Sequence, residues 1–196
     1  WEVVGNPGFS AGTAIYTSLA IDGSTPYIAY GDGNLSNKAT VMKFNGSNWV
    51  NVGSAGFSAG TTRYTSLAID GSGTPYVAYR DGNLSNRATV MKFNGSNWEN
   101  VGSAGFSAGQ AYSTSLAIDG SGTPYVAYSD GNMGRRAVVK KLNGSNWENV
   151  GTGGFSAGQA YSTSLAIDGS GTPYVAYVDG NFSSKATVMK FNGSNW

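Results

Sequence analysis

Leu67-Ala-Ile-Asp-Gly-Ser-Gly-Thr-Pro-Tyr-Val-Ala-Tyr79 contains two apolar segments separated by a glycine-containing turn. In an extended first segment, Leu67 and Ile69 share one face, because side chains alternate along a strand. The second segment, residues 74–79, carries apolar side chains on both faces. The stretch therefore predicts a β-hairpin belonging to a sheet that is covered on both sides.

The hairpin recurs along the chain, and tryptophan marks the repeat. The intervals between successive tryptophans are 48, 49, 49 and 49 residues. The short interval reflects one deletion, since the first copy reads Asp22-Gly-Ser-Thr25 where the second reads Asp70-Gly-Ser-Gly-Thr74. We interpret residues 1–196 as one domain or segment, with sequence repeats at 1–48, 49–97, 98–146 and 147–195. The tryptophans are Trp1, Trp49, Trp98, Trp147 and Trp196.

Each repeat contains four candidate strands, which in the second copy are residues 64–70, 74–79, 88–93 and 97–101. Asn94-Gly95 is a typical hairpin turn, because both central positions of a type I′ turn need a positive φ. Four short antiparallel strands per unit predict an all-β fold, a β-propeller of four blades. A β-solenoid and an array of β-sandwiches stay open as alternatives.

Two motifs resemble known propeller repeats. Residues 67–79 are similar to the inner hairpin of NHL-type propellers, although these units are longer than NHL repeats. Phe93-Asn-Gly-Ser-Asn-Trp98 resembles the segment that ends the repeats of bacterial secreted propellers. The resemblance covers every repeat and implies a propeller in an extracellular or cell-surface setting.

The chain starts within a fourth strand, which suggests how the ring closes. Trp1-Glu-Val-Val-Gly5 is expected to complete the last blade beside residues 186–191, because strand exchange removes exposed sheet edges. The alternatives are two chains forming an eight-bladed ring, or a fragment of a longer native array, so a homo-oligomer is among the expected partners.

Composition excludes several functions. Without histidine or cysteine, the chain cannot build a Ser-His-Asp triad, a thiolate nucleophile or an ordinary zinc site. A net charge of +1 does not favour nucleic-acid binding. No run of about 18 apolar residues occurs, so no membrane span is expected. The only glutamates, Glu2, Glu99 and Glu148, each follow a tryptophan and form no distinct acid–base pair. The expectation is that the chain is not an enzyme.

The Asp-Gly-Asn motif raises a metal-binding alternative. Asp32-Gly-Asn-Leu-Ser36 places oxygen-bearing side chains at alternate positions, as the first half of a calcium loop does. Turn formation is the preferred interpretation, and no other cofactor is expected. The calcium candidates are Asp32, Asn34, Asp81, Asn83, Asp179 and Asn181.

Differences between the four copies concentrate in two connections, those joining the fourth strand to the next first strand and the second strand to the third. In an up-and-down blade both connections emerge at one end, which we name the variable face. Tyrosine and arginine there suit sugars and anionic groups. The ligand-binding candidates are Tyr16, Tyr64, Tyr112, Tyr161, Arg80, Arg87, Arg135 and Arg136.

Together these observations favour a non-catalytic extracellular propeller with a structural or adhesive role, from a natural array or an engineered scaffold. The alternative is a lectin-like propeller that binds glycans on the variable face. Glycans and other surface proteins are the expected partners.

Overall fold

The computed structural model describes all 196 residues, Trp1–Trp196, and confirms an all-β chain. Its only helical segments are four short 3-10 turns, none long and apolar enough to cross a membrane. The strands are β1 (Ala14–Asp22), β2 (Thr25–Asp32), β3 (Lys38–Phe44), β4 (Trp49–Asn51), β5 (Thr62–Ile69), β6 (Pro75–Asp81), β7 (Arg87–Phe93), β8 (Trp98–Asn100), β9 (Ala111–Ile118), β10 (Pro124–Asp130), β11 (Arg136–Asn143), β12 (Asn146–Asn149), β13 (Ala160–Ile167), β14 (Pro173–Asp179) and β15 (Lys185–Lys190).

The strands form four separate antiparallel sheets, each a simple meander. Three sheets have four strands, β1–β4, β5–β8 and β9–β12, and the last has three, β13–β15. The first strands of consecutive sheets, β1, β5, β9 and β13, pack against one another. Each sheet is thus a blade whose first strand is innermost, which confirms the predicted propeller architecture.

The hydrophobic core lies between blades rather than within them. Leu116, Val126 and Tyr128 of the third blade pack against Tyr76 and Val90 of the second. Equivalent clusters join the first blade to the second and the third to the fourth. Apolar residues on both faces of a blade are buried by this arrangement, as the alternation in the sequence predicts.

The repeated tryptophan fastens each blade to the segment that precedes it. The indole Nε1 of Trp98 donates a hydrogen bond to the Val52 carbonyl oxygen at 2.8 Å. The same ring stacks on Phe57, with centroids 4.1 Å apart. Trp147 and Trp196 make equivalent contacts in the third and fourth blades.

The N-terminal segment does not close the last blade, so that prediction is wrong. Instead, Trp49 donates to the Val4 carbonyl oxygen at 3.0 Å and stacks on Phe9 at 4.4 Å. Residues 1–9 therefore occupy on the first blade the place that the other connections occupy on theirs. The fourth-strand position of the last blade, beside β15, is empty, because that sheet has only three strands. The ring is open.

Candidate functional site

The two variable connections meet at one end of the propeller. The amide of Gly82, in the connection from β6 to β7, donates to the carbonyl oxygen of Thr61, which leads into β5, at 2.9 Å. The equivalent bond recurs in the other three blades. The variable face is therefore one continuous surface.

A backbone bulge presents two of the predicted tyrosines. The pairing of β1 with β2 shifts register between Ile15 and Ser18, and Tyr16 adopts a left-handed φ of 52°. Tyr64 occupies the same position in the second blade with a φ of 54°. Such a conformation is uncommon for a bulky residue. It is held by the next blade, where the hydroxyl of Thr65 donates to the Tyr16 carbonyl oxygen.

Three tyrosines form a continuous row across three blades. The ring centroids of Tyr16 and Tyr64 are 5.1 Å apart, and those of Tyr64 and Tyr112 are 6.4 Å apart. Tyr16 is 40% exposed, and the other two are half-buried. We name Tyr16, Tyr64 and Tyr112 the tyrosine row.

Two of the predicted arginines converge on the end of this row. The guanidinium carbons of Arg80 and Arg135 lie 4.7 and 4.2 Å from the ring centroid of Tyr112. Distances of this size allow cation–π attraction. The Gln110 side-chain oxygen accepts from the Tyr112 hydroxyl at 2.7 Å and from Arg80 Nη2 at 3.1 Å.

The other predicted residues lie apart from this cluster. Tyr161 is exposed and bonds to Gln159 of its own blade. Arg87 and Arg136 are exposed at the starts of β7 and β11, Arg87 near Gly105 and Arg136 near Gly154. Arg135 and Arg136 thus have different neighbours, because Arg135 lies over the ring of Tyr112 whereas Arg136 lies near Gly154.

Sequence reasoning missed Arg63 and Gln110. Arg63 lies directly opposite Arg80 in the register of β5 and β6. It also lines a groove of about 500 Å³ with Ile15, Tyr16, Asn37, Thr61 and Thr62. Both missed residues belong to the connection that varies between copies, which was the available signal.

Grooves also occur at the opposite end, where the sequence repeats are nearly constant. One of about 540 Å³ in the second blade is lined by residues that include Asp70, Tyr76 and Lys92. A similar groove of about 630 Å³ occurs in the last blade.

The calcium candidates cap turns. The Asp32 carboxylate accepts from the Asn34 amide at 3.0 Å, and Asp81 and Asp179 make the same bond to Asn83 and Asn181. Each aspartate is the N-cap of a 3-10 turn and is only 1% exposed. Burial raises the pKa of Asp81, although its hydrogen bonds oppose that shift. No cluster of three or more His, Cys, Asp or Glu residues occurs in the structure.

The chain matches no protein-family model and no curated protein sequence. Solved structures resemble it closely enough to show the fold. A protein of unknown function from Dyadobacter fermentans matches with a TM-score of 0.65 and 11% identity, over 98% of this chain and 68% of that one. An α-L-arabinofuranosidase from Clostridium thermocellum matches with a TM-score of 0.56 and 18% identity, over 97% and 72%. An α-L-arabinanase from Penicillium chrysogenum, complexed with arabinobiose, matches with a TM-score of 0.60 and 12% identity, over 90% and 57%.

These comparisons correct one expectation and refine another. The exclusion of an enzyme is wrong, because glycoside hydrolases have the same propeller fold. The propeller resemblance is confirmed, whereas the likeness to NHL-type repeats stays a prediction.

Proposed function

We propose that this propeller binds carbohydrate on its variable face, along the tyrosine row. The observation that carries the proposal is the row itself, three partly exposed phenol rings from three blades. Aromatic rings offer sugars an apolar surface, and their hydroxyls offer hydrogen bonds. The adjoining groove supplies polar groups from Asn37, Thr61 and Arg63.

The backbone geometry supports a role beyond packing. Tyr16 and Tyr64 sit at left-handed positions that do not favour bulky residues, whereas the same position in the last two blades holds Ser113 and Ser162. Unfavourable backbone conformations persist where surrounding structure holds them, and they cluster at functional sites. The carbohydrate-active proteins that share the fold add support at the level of architecture. An extracellular or cell-surface location is part of the proposal, because polysaccharides are abundant there.

The test is a glycan-array screen followed by calorimetric titration with the best oligosaccharide. Tyr64→Ala should weaken binding by about tenfold, since losing a stacked ring costs about 1 kcal/mol or slightly more. Tyr161→Ala is the control, because Tyr161 is an exposed tyrosine outside the row, and it should leave affinity unchanged. Each incubation is also assayed for newly released reducing ends, which distinguishes hydrolysis from binding.

Two outcomes would contradict the proposal. One is an absence of glycan binding by the unmodified chain. The other is an equal loss of affinity in Tyr64→Ala and Tyr161→Ala. If Lys92→Ala, in the groove at the opposite end, abolishes binding while Tyr64→Ala does not, the ligand belongs to that groove instead.

A further inference from the structure

A cationic cluster without an acidic partner lies beside the tyrosine row. Arg80 is only 8% exposed, and its Nε is buried with no hydrogen-bond partner. Arg63 stands directly opposite it on the neighbouring strand, and Arg135 approaches from the third blade. The single ion pair of the whole chain, Lys92 with Glu99, lies elsewhere.

This arrangement is unfavourable unless an anion compensates it. Like charges at directly opposite positions of a β-sheet destabilise the pair. A buried cation is likewise costly without a counter-charge. The nearest aspartates in sequence, Asp81 and Asp130, use their carboxylates to accept bonds from the amides of Asn83 and Asn132. The protein itself therefore leaves the charge of the cluster unpaired.

We propose that Arg63, Arg80 and Arg135 bind the anionic group of an acidic carbohydrate whose sugar ring lies on the tyrosine row. This rests on the proposed function and narrows its ligand class. Guanidinium groups present planar donor pairs that match carboxylate and sulfate oxygens. The anionic group is the carboxylate of a uronic acid or a sulfate ester.

The experiment compares three oligosaccharides of equal length, a galacturonide, a sulfated galactoside and a neutral galactoside. The chain should bind at least one acidic oligosaccharide about tenfold or more tightly than the neutral one. Arg80→Gln and Arg135→Gln should remove that preference, and the acidic arms separate carboxylate from sulfate. Arg87→Gln and Arg136→Gln remove the same charge outside the cluster, and these variants should keep the preference for an acidic oligosaccharide. Because Arg135 is exposed, its variant remains informative if Arg80→Gln fails to fold.

Failure of this inference differs from failure of the proposed function. Equal affinity for acidic and neutral oligosaccharides, with Tyr64→Ala still impaired, overturns the anionic site alone. A preference lost equally in the control variants does the same. Absence of binding to all three oligosaccharides and to the array overturns both.

A second inference rests on the two ends of the open ring. Leu19 and Ile21 of the first blade are 63% and 61% exposed, whereas Leu67, at the position of Leu19 in the second blade, is 6% exposed. At the other end, Val188 is 66% exposed, whereas its counterpart Val90 is 1% exposed. The two ends are therefore the two uncovered halves of the interface that joins consecutive blades.

The polar groups that bond across that interface also recur at the two free ends, one set on the first blade and the matching set on the last. Between the first two blades, the Leu67 amide donates to Ser18 Oγ at 3.0 Å, and Thr65 donates to the Tyr16 carbonyl oxygen. Thr17 is the counterpart of Thr65 on the free face of the first blade. Ser164 is the counterpart of Ser18 on the last blade.

The last blade also lacks a fourth strand, for which residues 1–4 have a suitable sequence. Trp1-Glu-Val-Val4 aligns with Trp98-Glu-Asn-Val101, the region of β8. Glu99 of β8 lies opposite Lys92 and forms an ion pair at 3.5 Å. In the last blade Lys190 holds the position of Lys92, so Glu2 of an added strand would face it.

We infer that a second copy of this chain covers both ends, joined head to tail. The first blade of each copy packs on the last blade of the other, and residues 2–4 pair with β15 of the neighbouring copy. Eight blades result, within the range of four to eight that propellers use. A closed ring satisfies both ends at once, as closed symmetry does in most oligomers.

Light scattering coupled to size exclusion tests this inference on the chain of 196 residues. The unmodified chain should have the mass of two chains, and Leu19→Glu with Ile21→Glu, or Val188→Glu alone, should give monomers. Lys190→Glu should weaken the dimer, and adding Glu2→Lys should restore it. A monomeric unmodified chain at every concentration overturns the inference. So does a dimer that survives substitutions at both ends.

Discussion

Lys140 stands where the other three blades have methionine, and the buried hydroxyl of Tyr128 consequently has no hydrogen-bond partner. In those blades the equivalent hydroxyls, of Tyr30, Tyr79 and Tyr177, lie 3.2 Å from the sulfur of Met42, Met91 and Met189. Burial raises the pKa of Tyr128 and lowers that of Lys140. The third blade therefore carries a local defect.

Lys140→Met should stabilise the protein by about 1 kcal/mol, because the tyrosine hydroxyl regains an acceptor. The melting temperature should rise by roughly 2–4 °C for a chain of this size. The stability difference between Lys140→Met and the wild type should decrease at alkaline pH. The folded pKa of Lys140 is lowered, so the wild type itself becomes more stable as pH rises through that pKa. Lys141→Met is the control, and an equal gain there would refute this explanation.

An aspartate in the turn between the first two strands of a blade, such as Asp119, makes the stability of the fold depend on pH in the acidic range. The Asp119 carboxylate accepts from the amides of Ser121 and Thr123, both at 2.9 Å. Burial raises the pKa of Asp119, but these bonds and the Ser121 hydroxyl outweigh it, and the net shift is downward. A lowered folded pKa gives stability that is present above the unfolded value near 3.8 and is lost as pH falls through the folded value.

Asp119→Asn should therefore lower the melting temperature at neutral pH and have little further effect in strong acid. The difference between wild type and variant should shrink as pH falls below about 4. Asp22→Asn is a natural control. The deletion shortens the turn of the first blade, and the Asp22 side chain makes no hydrogen bond there. A constant difference across the acid range would show that the carboxylate charge is irrelevant.

The sequence predicted the repeated elements well because they follow from local chemistry. Glycine turns, the Asp-Gly-Asn turns and two-sided apolar strands each depend on residues close together in the chain. The variable face was also predictable from the up-and-down order of the strands. The tyrosine row was less predictable, because the left-handed backbone conformation at Tyr16 is one that bulky residues disfavour.

Two features depend on how blades pack, which the sequence of one blade does not contain. Arg80 and Arg135 belong to different blades and meet only through the ring of Tyr112. The open ring depends on the angle between successive blades. Strand pattern constrains that angle weakly, which is why closure by residues 1–5 was predicted wrongly.

The effect of the backbone bulge on carbohydrate binding should be separable from its effect on stability. The buried hydroxyl of Thr114 donates to the Tyr64 carbonyl oxygen, and that of Thr163 donates to the Ser113 carbonyl oxygen. Thr114→Val and Thr163→Val should each cost about 1–2 kcal/mol, because a carbonyl loses its partner. Only Thr114→Val should also weaken carbohydrate binding, since the bulge that Thr114 holds carries Tyr64 of the tyrosine row. Denaturant titration and calorimetry on both variants check this, and equal loss of affinity in the two would contradict it.

The arginine cluster should make stability respond to salt. Arg63 and Arg80 face each other across β5 and β6 without an acidic partner, so their repulsion opposes folding. Counterions screen such repulsion, and the Debye length falls from about 10 Å at 0.1 M salt to about 3 Å at 1 M. The melting temperature of the wild type should therefore rise with sodium chloride. Arg63→Gln should be more stable than the wild type at low salt, by several tenths of a kcal/mol, and should respond less to added salt.

Arg87→Gln supplies the comparison for this prediction, because Arg87 is exposed, outside the cluster and paired in register with Asp81. Its melting temperature should follow the salt dependence of the wild type. Chloride and sulfate at matched ionic strength separate general screening from anion binding. Screening acts equally in both salts, whereas an anion seated between Arg63, Arg80 and Arg135 gives sulfate an additional stabilising effect that Arg63→Gln loses. A wild type whose melting temperature is independent of both salts would mean that the repulsion is already relieved within the fold.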